Sequence, residues 1–150
     1  MLGARAYATR ELRQRLVRRG FPEPDVDAAI ARLTAAGLLD DAAYARHLTR
    51  SRIVGGRAAP RRVRLELARR GVDRATADAA VDAVVEDEAV DPAAALEALA
   101  RRRAVTLARL DPATRRRRLY AYLARRGYDA DDIQAVLRRI DADAAGGSGD

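Results

Sequence analysis

Hydrophobic residues recur three and four positions apart along most of the chain, with charged residues between them. This spacing places apolar side chains on one stripe of an amphipathic helix, whereas a strand would alternate with a period of two. Asp or Thr precedes several of the periodic segments, as is typical of helix N-caps. The pattern predicts eight helices and no strand, with the helices at residues 9–19, 23–36, 40–54, 58–70, 73–88, 91–109, 112–126 and 129–142, and a short helical remnant before Thr9.

The helical pattern occurs three times. An Arg-Arg-Gly sequence followed by an aromatic or branched residue ends at Phe21, Val72 and Tyr128, and the three glycines lie 51 and 56 residues apart. Apolar residues occupy the same positions eight and four residues before each glycine and ten and thirteen residues after it. Each copy is therefore predicted to be a helical hairpin, in which the glycine ends the first helix in a left-handed conformation.

The copies divide the chain into three predicted repeats and a tail. We assign residues 1–54 to the first repeat, 55–110 to the second and 111–142 to the third. The Gly55-Gly56 pair marks a joint between the first two repeats. Residues 143–150 are rich in Gly and Ala, and we predict a disordered tail there.

Composition excludes several classes of function. The chain has 150 residues, 29 of them basic and 22 acidic, and all 29 basic residues are Arg. It has no Cys, which excludes a disulfide framework, a thiolate metal site and a cysteine nucleophile. Its single His provides too few ligands for a histidine-built metal site and too few bases for a conventional hydrolytic triad. We therefore expect no enzyme activity, no cofactor and no metal.

The apolar runs are too short for a membrane span. A spanning helix needs about 18 consecutive apolar residues, and charged residues interrupt this chain every three or four positions. The first five residues lack the apolar run of a signal peptide. We expect a soluble cytoplasmic protein with no membrane partner.

The net charge of +7 is distributed in alternating blocks. The three basic segments are residues 1–22, 46–70 and 99–128, with net charges of +5, +8 and +9. Each is followed by an acidic segment, and these are residues 23–41, 72–98 and 129–150, with net charges of −4, −7 and −4. The positive excess is thus repeated with the helical hairpins. It suggests a polyanionic partner, either nucleic acid or an acidic protein surface.

The first half of the chain contains a series of short motifs. They are Gly37-Leu38-Leu39-Asp40-Asp41, Tyr44-Ala45-Arg46, Ser51-Arg52, Gly55-Gly56-Arg57, Pro60-Arg61-Arg62-Val63, Glu66-Leu67 and Arg70-Gly71-Val72, with Glu11-Leu12, Leu16 and Arg19-Gly20-Phe21 upstream. The order and spacing of these motifs are more unusual than any single motif. The series resembles the signature of the RecX family of bacterial regulatory proteins, and the resemblance extends to about residue 142.

The resemblance implies an all-α fold, an elongated and curved array of three tandem three-helix repeats. Compared with that pattern, the opening helix of the first repeat and the last helix of the third repeat are expected to be truncated. The resemblance also implies a monomeric, non-catalytic protein that binds the RecA–DNA filament along its groove. Such a protein would restrain the recombinase, ATPase and coprotease activities of RecA in DNA repair and the SOS response.

Arginines on two of the predicted helices, together with one arginine immediately before the first of these helices, are the candidates for contact with RecA or DNA. They are Arg57, Arg61, Arg62, Arg64, Arg69, Arg115, Arg116, Arg117, Arg118 and Arg125. The alternative is that most of them are solvated or paired with the acidic residues Asp78, Asp82, Glu86, Asp87 and Glu88. Three tyrosines among the arginines are either stacking platforms for bases or packing residues, namely Tyr120, Tyr122 and Tyr128.

Two other functions remain open. The first is an autonomous Arg-rich DNA-binding module, which tight, sequence-selective binding that persists at high salt would support. The regulatory protein itself is expected to contact single- or double-stranded DNA weakly and with strong salt dependence, because arginine contacts phosphates. The predicted helices lack the Asn- and Gln-rich surface that reads adenine edges. The third possibility is a structural helical adaptor for another acidic protein.

Overall fold

The computed structural model describes residues 7–54 and 56–147. These residues form eight α-helices and no strand, so the all-α fold class is confirmed. The helices are α1 (Thr9–Arg18), α2 (Glu23–Ala35), α3 (Asp41–Ile53), α4 (Pro60–Arg69), α5 (Arg74–Asp87), α6 (Pro92–Thr106), α7 (Pro112–Arg125) and α8 (Ala130–Gly146). All eight predicted helices are present, with ends shifted by at most four residues.

The largest shift is at the end of α8, which continues to Gly146. Residues 143–146 of the predicted disordered tail are therefore helical. Asp143 accepts a hydrogen bond of 2.8 Å from Arg101 of α6, and this contact holds the last turn of α8 against its neighbour. The rest of the predicted tail beyond residue 147, and the predicted helical remnant as far as residue 6, lie outside the described residues.

Aspartates fix several helix starts. Asp73 and Asp111 each accept a hydrogen bond of 3.0 Å from a backbone N–H three residues later. The Thr76 hydroxyl also donates to Asp73, and this bond lowers the pKa of the Asp73 carboxyl, as the Thr114 N–H lowers that of Asp111. These bonds satisfy N–H groups that have no partner within the helix.

The helices pack as one pair followed by two bundles of three. Unit 1 is the α1–α2 pair, unit 2 contains α3–α5, and unit 3 contains α6–α8. The core of unit 2 includes Tyr44, Leu48, Val63, Leu67 and Val81. The core of unit 3 includes Leu96, Leu119, Leu123, Ile133 and Leu137.

This grouping differs from the predicted division after residues 54 and 110. Helix α3 packs on α4 and α5 rather than on unit 1, because Tyr44 and Leu48 are buried in the core of unit 2. Helix α6 likewise belongs with the two helices that follow it. The last unit is therefore complete, contrary to the expected truncation, and the unit with two described helices is the first.

The units form an extended array. The accessible surface is 9932 Å², compared with roughly 7,500 Å² for a compact monomer of 16.3 kDa. A chain of small units, each touching its neighbours through few residues, leaves this additional surface exposed. No helix within residues 7–54 and 56–147 is long and apolar enough to cross a membrane.

Candidate functional site

The described units meet at two junctions. At the 1–2 junction, the start of α1 contacts the start of α3 and the end of α4. The backbone N–H and the hydroxyl of Thr9 donate hydrogen bonds of 2.8 and 3.0 Å to Asp41. Gly71, with φ +84°, lies so close to Arg10 that a Cβ on the glycine would be 2.7 Å from the Cβ of Arg10.

The 1–2 junction balances its own charges. Glu66 of α4 accepts hydrogen bonds of 3.1 and 3.0 Å from Arg52 and one of 3.2 Å from Arg70. Arg70 also lies 3.7 Å from the carboxylate of Glu11 on α1. The bonds from Arg52, with the charges of both arginines, hold the pKa of the Glu66 carboxyl below its usual range against the effect of burial. The two arginines and two glutamates of this cluster together carry no net charge.

At the 2–3 junction, the start of α4 contacts the end of α7. The backbone N–H of Ala59 donates a hydrogen bond of 2.9 Å to the carbonyl of Arg126. A Cβ on Gly127, whose φ is +91°, would lie 2.5 Å from the Cβ of Arg62 and 3.3 Å from its backbone. Arg61 and Asp129 form an exposed ion pair of 2.9 Å across the same junction.

A recess of about 340 Å³ lies beside this contact. We name it the arginine pocket, and its lining contains four arginines, one tyrosine and no acidic residue. The lining residues are Gly56, Arg57, Leu99, Arg102, Arg103, Thr106, Tyr122 and Arg126.

Two of the four guanidinium groups in the arginine pocket lie over one ring. Arg126 lies 3.9 Å and Arg103 lies 4.8 Å from the ring centroid of Tyr122, which are cation–π distances. The Nε atom of Arg126 is buried and has no hydrogen-bond partner within the described residues. One donor atom of a lining residue is therefore left unsatisfied by the fold itself.

Two helix ends compensate only part of this charge. Helices α6 and α7 both end at the pocket, and a helix C-terminus carries about −0.5 charge. Together they offset about one of the four positive charges. No carboxylate in the lining compensates the remaining charge.

The predicted arginines fall into two groups. Three have partners inside the protein: Arg61 pairs with Asp129, Arg64 with Asp78 and Asp82, and Arg116 with Asp141 and Gln134. Of these three, Arg64 pairs with the acidic helix, as the alternative of internal pairing predicts. Within the described part of the chain, the other seven have no ion pair, namely Arg57, Arg62, Arg69, Arg115, Arg117, Arg118 and Arg125.

The structure brings one of the predicted arginines, Arg57, into the pocket with three that the sequence reasoning did not select. Arg102, Arg103 and Arg126 belong to unit 3, whereas Arg57 precedes α4 in unit 2. Their signal in the sequence was only the basic segment at residues 99–128. Contact between units, which the repeat pattern does not specify, brings them together.

The tyrosines of unit 3 are packing residues in this structure. Tyr120, Tyr122 and Tyr128 are half-buried and pack against the core of unit 3. Burial raises the pKa of the Tyr128 hydroxyl. The Tyr122 ring supports Arg103 and Arg126, which occupy the positions over the ring that a base would use.

No group of three His, Cys, Asp or Glu residues in the described ranges could hold a metal ion.

Family models match the chain in three consecutive segments. They are described as the first, second and third three-helix domains of RecX, and they match residues 1–33, 40–81 and 90–137 respectively. The second and third segments include most of units 2 and 3, with their first helices α3 and α6.

Curated relatives and solved structures give the same match. The chain is 37% identical over 145 residues to "Regulatory protein RecX" of Halorhodospira halophila, covering 95% of this chain and 85% of the relative. It is 39% identical over 135 residues to the protein of that name from Thermobifida fusca, covering 89% and 71%. The crystal structure of RecX from Lactobacillus salivarius has a TM-score of 0.69 at 18% identity, covering 94% and 90%, and supports the fold.

Proposed function

Because the chain belongs to the RecX family of regulatory proteins, we propose that it binds the RecA–DNA filament and restrains the recombinase, ATPase and coprotease activities of RecA. Its place of action would be the cytoplasm, in DNA repair and the SOS response, and it would act as a monomer. It would regulate by binding, without chemistry of its own.

The observation that carries this proposal is the array of exposed arginines over consecutive units. Arg57, Arg62 and Arg69 are exposed in or next to α4, and Arg117, Arg118 and Arg125 are exposed on α7. A helical filament presents the same acidic groups at regular intervals, and an extended array can contact several of them at once. Guanidinium groups form paired hydrogen bonds with carboxylates and phosphates alike.

The test is ATP hydrolysis by RecA on single-stranded DNA, with and without this protein. We expect the rate to fall as the protein is added. Unchanged hydrolysis and unchanged strand exchange at saturating protein would contradict the proposal.

The contact surface can be tested in the same assay. Charge reversal at Arg61, Arg62 and Arg64 is expected to weaken inhibition more than reversal at Arg138 and Arg139. Since Arg61 and Arg64 have internal partners, thermal unfolding of each variant must show that the fold is kept. Equal losses in both variants would contradict this choice of surface.

The autonomous DNA-binding module is a second candidate, favoured by the uncompensated charge of the arginine pocket. It predicts binding that is tight without RecA. Sequence-selective binding that persists at high salt would favour it, because binding to phosphates alone collapses as salt rises.

A further inference from the structure

The arginine pocket has the features of a built anion site. Its four arginines come from three segments of the chain: the residues before α4, the last turns of α6 and the end of α7. No carboxylate lines it, and the Nε of Arg126 is buried without a partner among the described residues. At the 1–2 junction, by contrast, Arg52 and Arg70 both pair with Glu66, and Arg70 lies near Glu11, whose Oε2 atom is itself buried without a hydrogen-bond partner among the described residues.

We propose that the arginine pocket binds a backbone phosphate of single-stranded nucleic acid. This inference rests on the DNA-binding part of the proposed function and does not require RecA. The pocket would hold one phosphate between units 2 and 3, so that the strand crosses the 2–3 junction.

The donor set favours a phosphate over a carboxylate. A carboxylate is planar and is satisfied by one guanidinium fork, whereas a phosphate accepts hydrogen bonds from several directions. Four guanidinium groups around one recess suit the second geometry. A strand also supplies further negative charges on both sides of the bound phosphate.

The size of the recess favours a single strand over a duplex. Its volume of about 340 Å³ is at the lower end of ordinary ligand pockets, and it has room for a phosphate with part of its sugar. A single strand can bend its backbone into such a recess. A duplex is stiff, with a persistence length of about 50 nm, and presents its phosphates on a convex surface.

Tyr122 has a positioning role in this proposal. The ring lies under Arg103 and Arg126 and restricts the rotation of their long side chains. Pre-ordered guanidinium groups lose less entropy when they bind. Tyr122→Phe keeps the ring and is expected to bind like wild type, whereas Tyr122→Leu removes it and is expected to bind more weakly.

The experiment measures fluorescence anisotropy of labelled oligo(dT) with the full chain at several salt concentrations, without RecA. Arg102→Gln and Arg126→Gln are the pocket variants, and Arg32→Gln and Arg138→Gln are controls with the same loss of charge at exposed positions outside the pocket. We expect each pocket variant to weaken binding about 5- to 10-fold and to lower the salt slope by about one. The controls should change the affinity by less than about 2-fold.

Several outcomes would overturn the inference. These are equal losses in pocket and control variants, absence of oligo(dT) binding by wild type at low salt, and equally tight binding of a duplex. Displacement of oligo(dT) by poly-glutamate at equal charge would assign the pocket to an acidic protein, and displacement by dTMP or inorganic phosphate at similar concentration would assign it to a free ligand. If Arg126→Gln fails to fold, the oligo(dT) affinity of Arg102→Gln, a substitution at an exposed position, decides the test.

The RecA ATPase assay separates this inference from the proposed function. Pocket variants that lose oligo(dT) binding and still inhibit RecA would leave both proposals standing, on different surfaces. If the wild-type protein bound oligo(dT) but did not inhibit RecA, the proposed function alone would be contradicted.

Discussion

The two junctions between units are built from the same type of contact but differ in charge. In both, a glycine that ends one central helix lies against an arginine near the start of another: Gly71 against Arg10, and Gly127 against Arg62. At the 1–2 junction the surrounding arginines bond to Glu66 and approach Glu11. At the 2–3 junction the arginine pocket has no acidic residue in its lining.

This difference separates structural arginines from candidate binding arginines. An arginine whose donors are satisfied by a neighbouring carboxylate contributes to the fold, and its loss leaves an unpaired charge. An arginine that faces other arginines contributes repulsion to the fold. The comparison therefore predicts opposite effects on stability at the two junctions.

The largest effects are expected from adding a Cβ at the junction glycines. Gly71→Ala and Gly127→Ala combine a left-handed backbone with a Cβ contact of 2.7 or 2.5 Å. We expect each to lower the free energy of unfolding by about 2–4 kcal/mol, from backbone strain plus overpacking. Gly127→Ala should be the more severe, because the backbone of Arg62 is also within 3.3 Å. Urea unfolding followed by circular dichroism measures both.

Gly20→Ala is the matched control for the junction glycines. Gly20 ends α1 with φ +91° and has no atom within 4 Å of the added Cβ. It should cost only the backbone strain, about 1–2 kcal/mol. Equal losses at Gly20, Gly71 and Gly127 would show that the junction contacts add nothing.

The next effect concerns the balanced charges of the 1–2 junction. Glu66→Gln removes the carboxylate that Arg52 and Arg70 share, and we expect a loss of about 1–2 kcal/mol at neutral pH. The folded-state pKa of Glu66 is lowered, so its contribution is present above the ordinary pKa near 4.5 and disappears as the pH falls through the folded value. The gap between wild type and variant should therefore close in acid. A gap that widened below pH 4.5 would contradict the assignment.

The arginine pocket should respond in the opposite direction. Arg102→Gln removes one of four facing cations, so we expect stability to be unchanged or raised by up to about 0.5 kcal/mol. Arg52→Gln, the matched substitution at the 1–2 junction, should be destabilising by about 1–2 kcal/mol. Added salt should stabilise wild type relative to Arg102→Gln, because it screens the repulsion. Loss of stability in Arg102→Gln would show that its charge is compensated inside the fold.

Most of the fold follows from local sequence. Helix periodicity, Asp caps and terminal glycines act within a few residues, and all eight helices were predictable from them. The grouping of helices was not, because a repeat specifies a period without a starting point. Tyr44 and Leu48 could pack on the helices before or after α3, and only their burial in the core of unit 2 decides this.

The chemistry of the candidate site could be predicted from the sequence, but most of its residues could not. The excess of arginine in repeated segments indicated an anionic partner. Which arginines remain uncompensated depends on the placement of residues distant in sequence, such as the pairing of Arg61 with Asp129 and the position of Arg57 and Arg126 in the lining of one recess. Arg126 also belonged to the repeated Arg-Arg-Gly motif, which has a sufficient explanation in the helix end.

The smallest effect is expected from the ion pair that crosses the 2–3 junction. Arg61 and Asp129 are 73% and 64% exposed, and an exposed pair contributes about 0–1 kcal/mol, so Asp129→Ala should change the free energy of unfolding by less than about 0.5 kcal/mol. Asp41→Ala at the 1–2 junction should cost about 1 kcal/mol, because Asp41 is half-buried and caps the start of α1 through Thr9. Urea unfolding of both variants makes the comparison. If Asp129→Ala lowered the free energy of unfolding as much as Asp41→Ala, the Arg61–Asp129 ion pair would be needed to hold the 2–3 junction together. The arginines beside it would then be explained by their role in the fold rather than by a ligand.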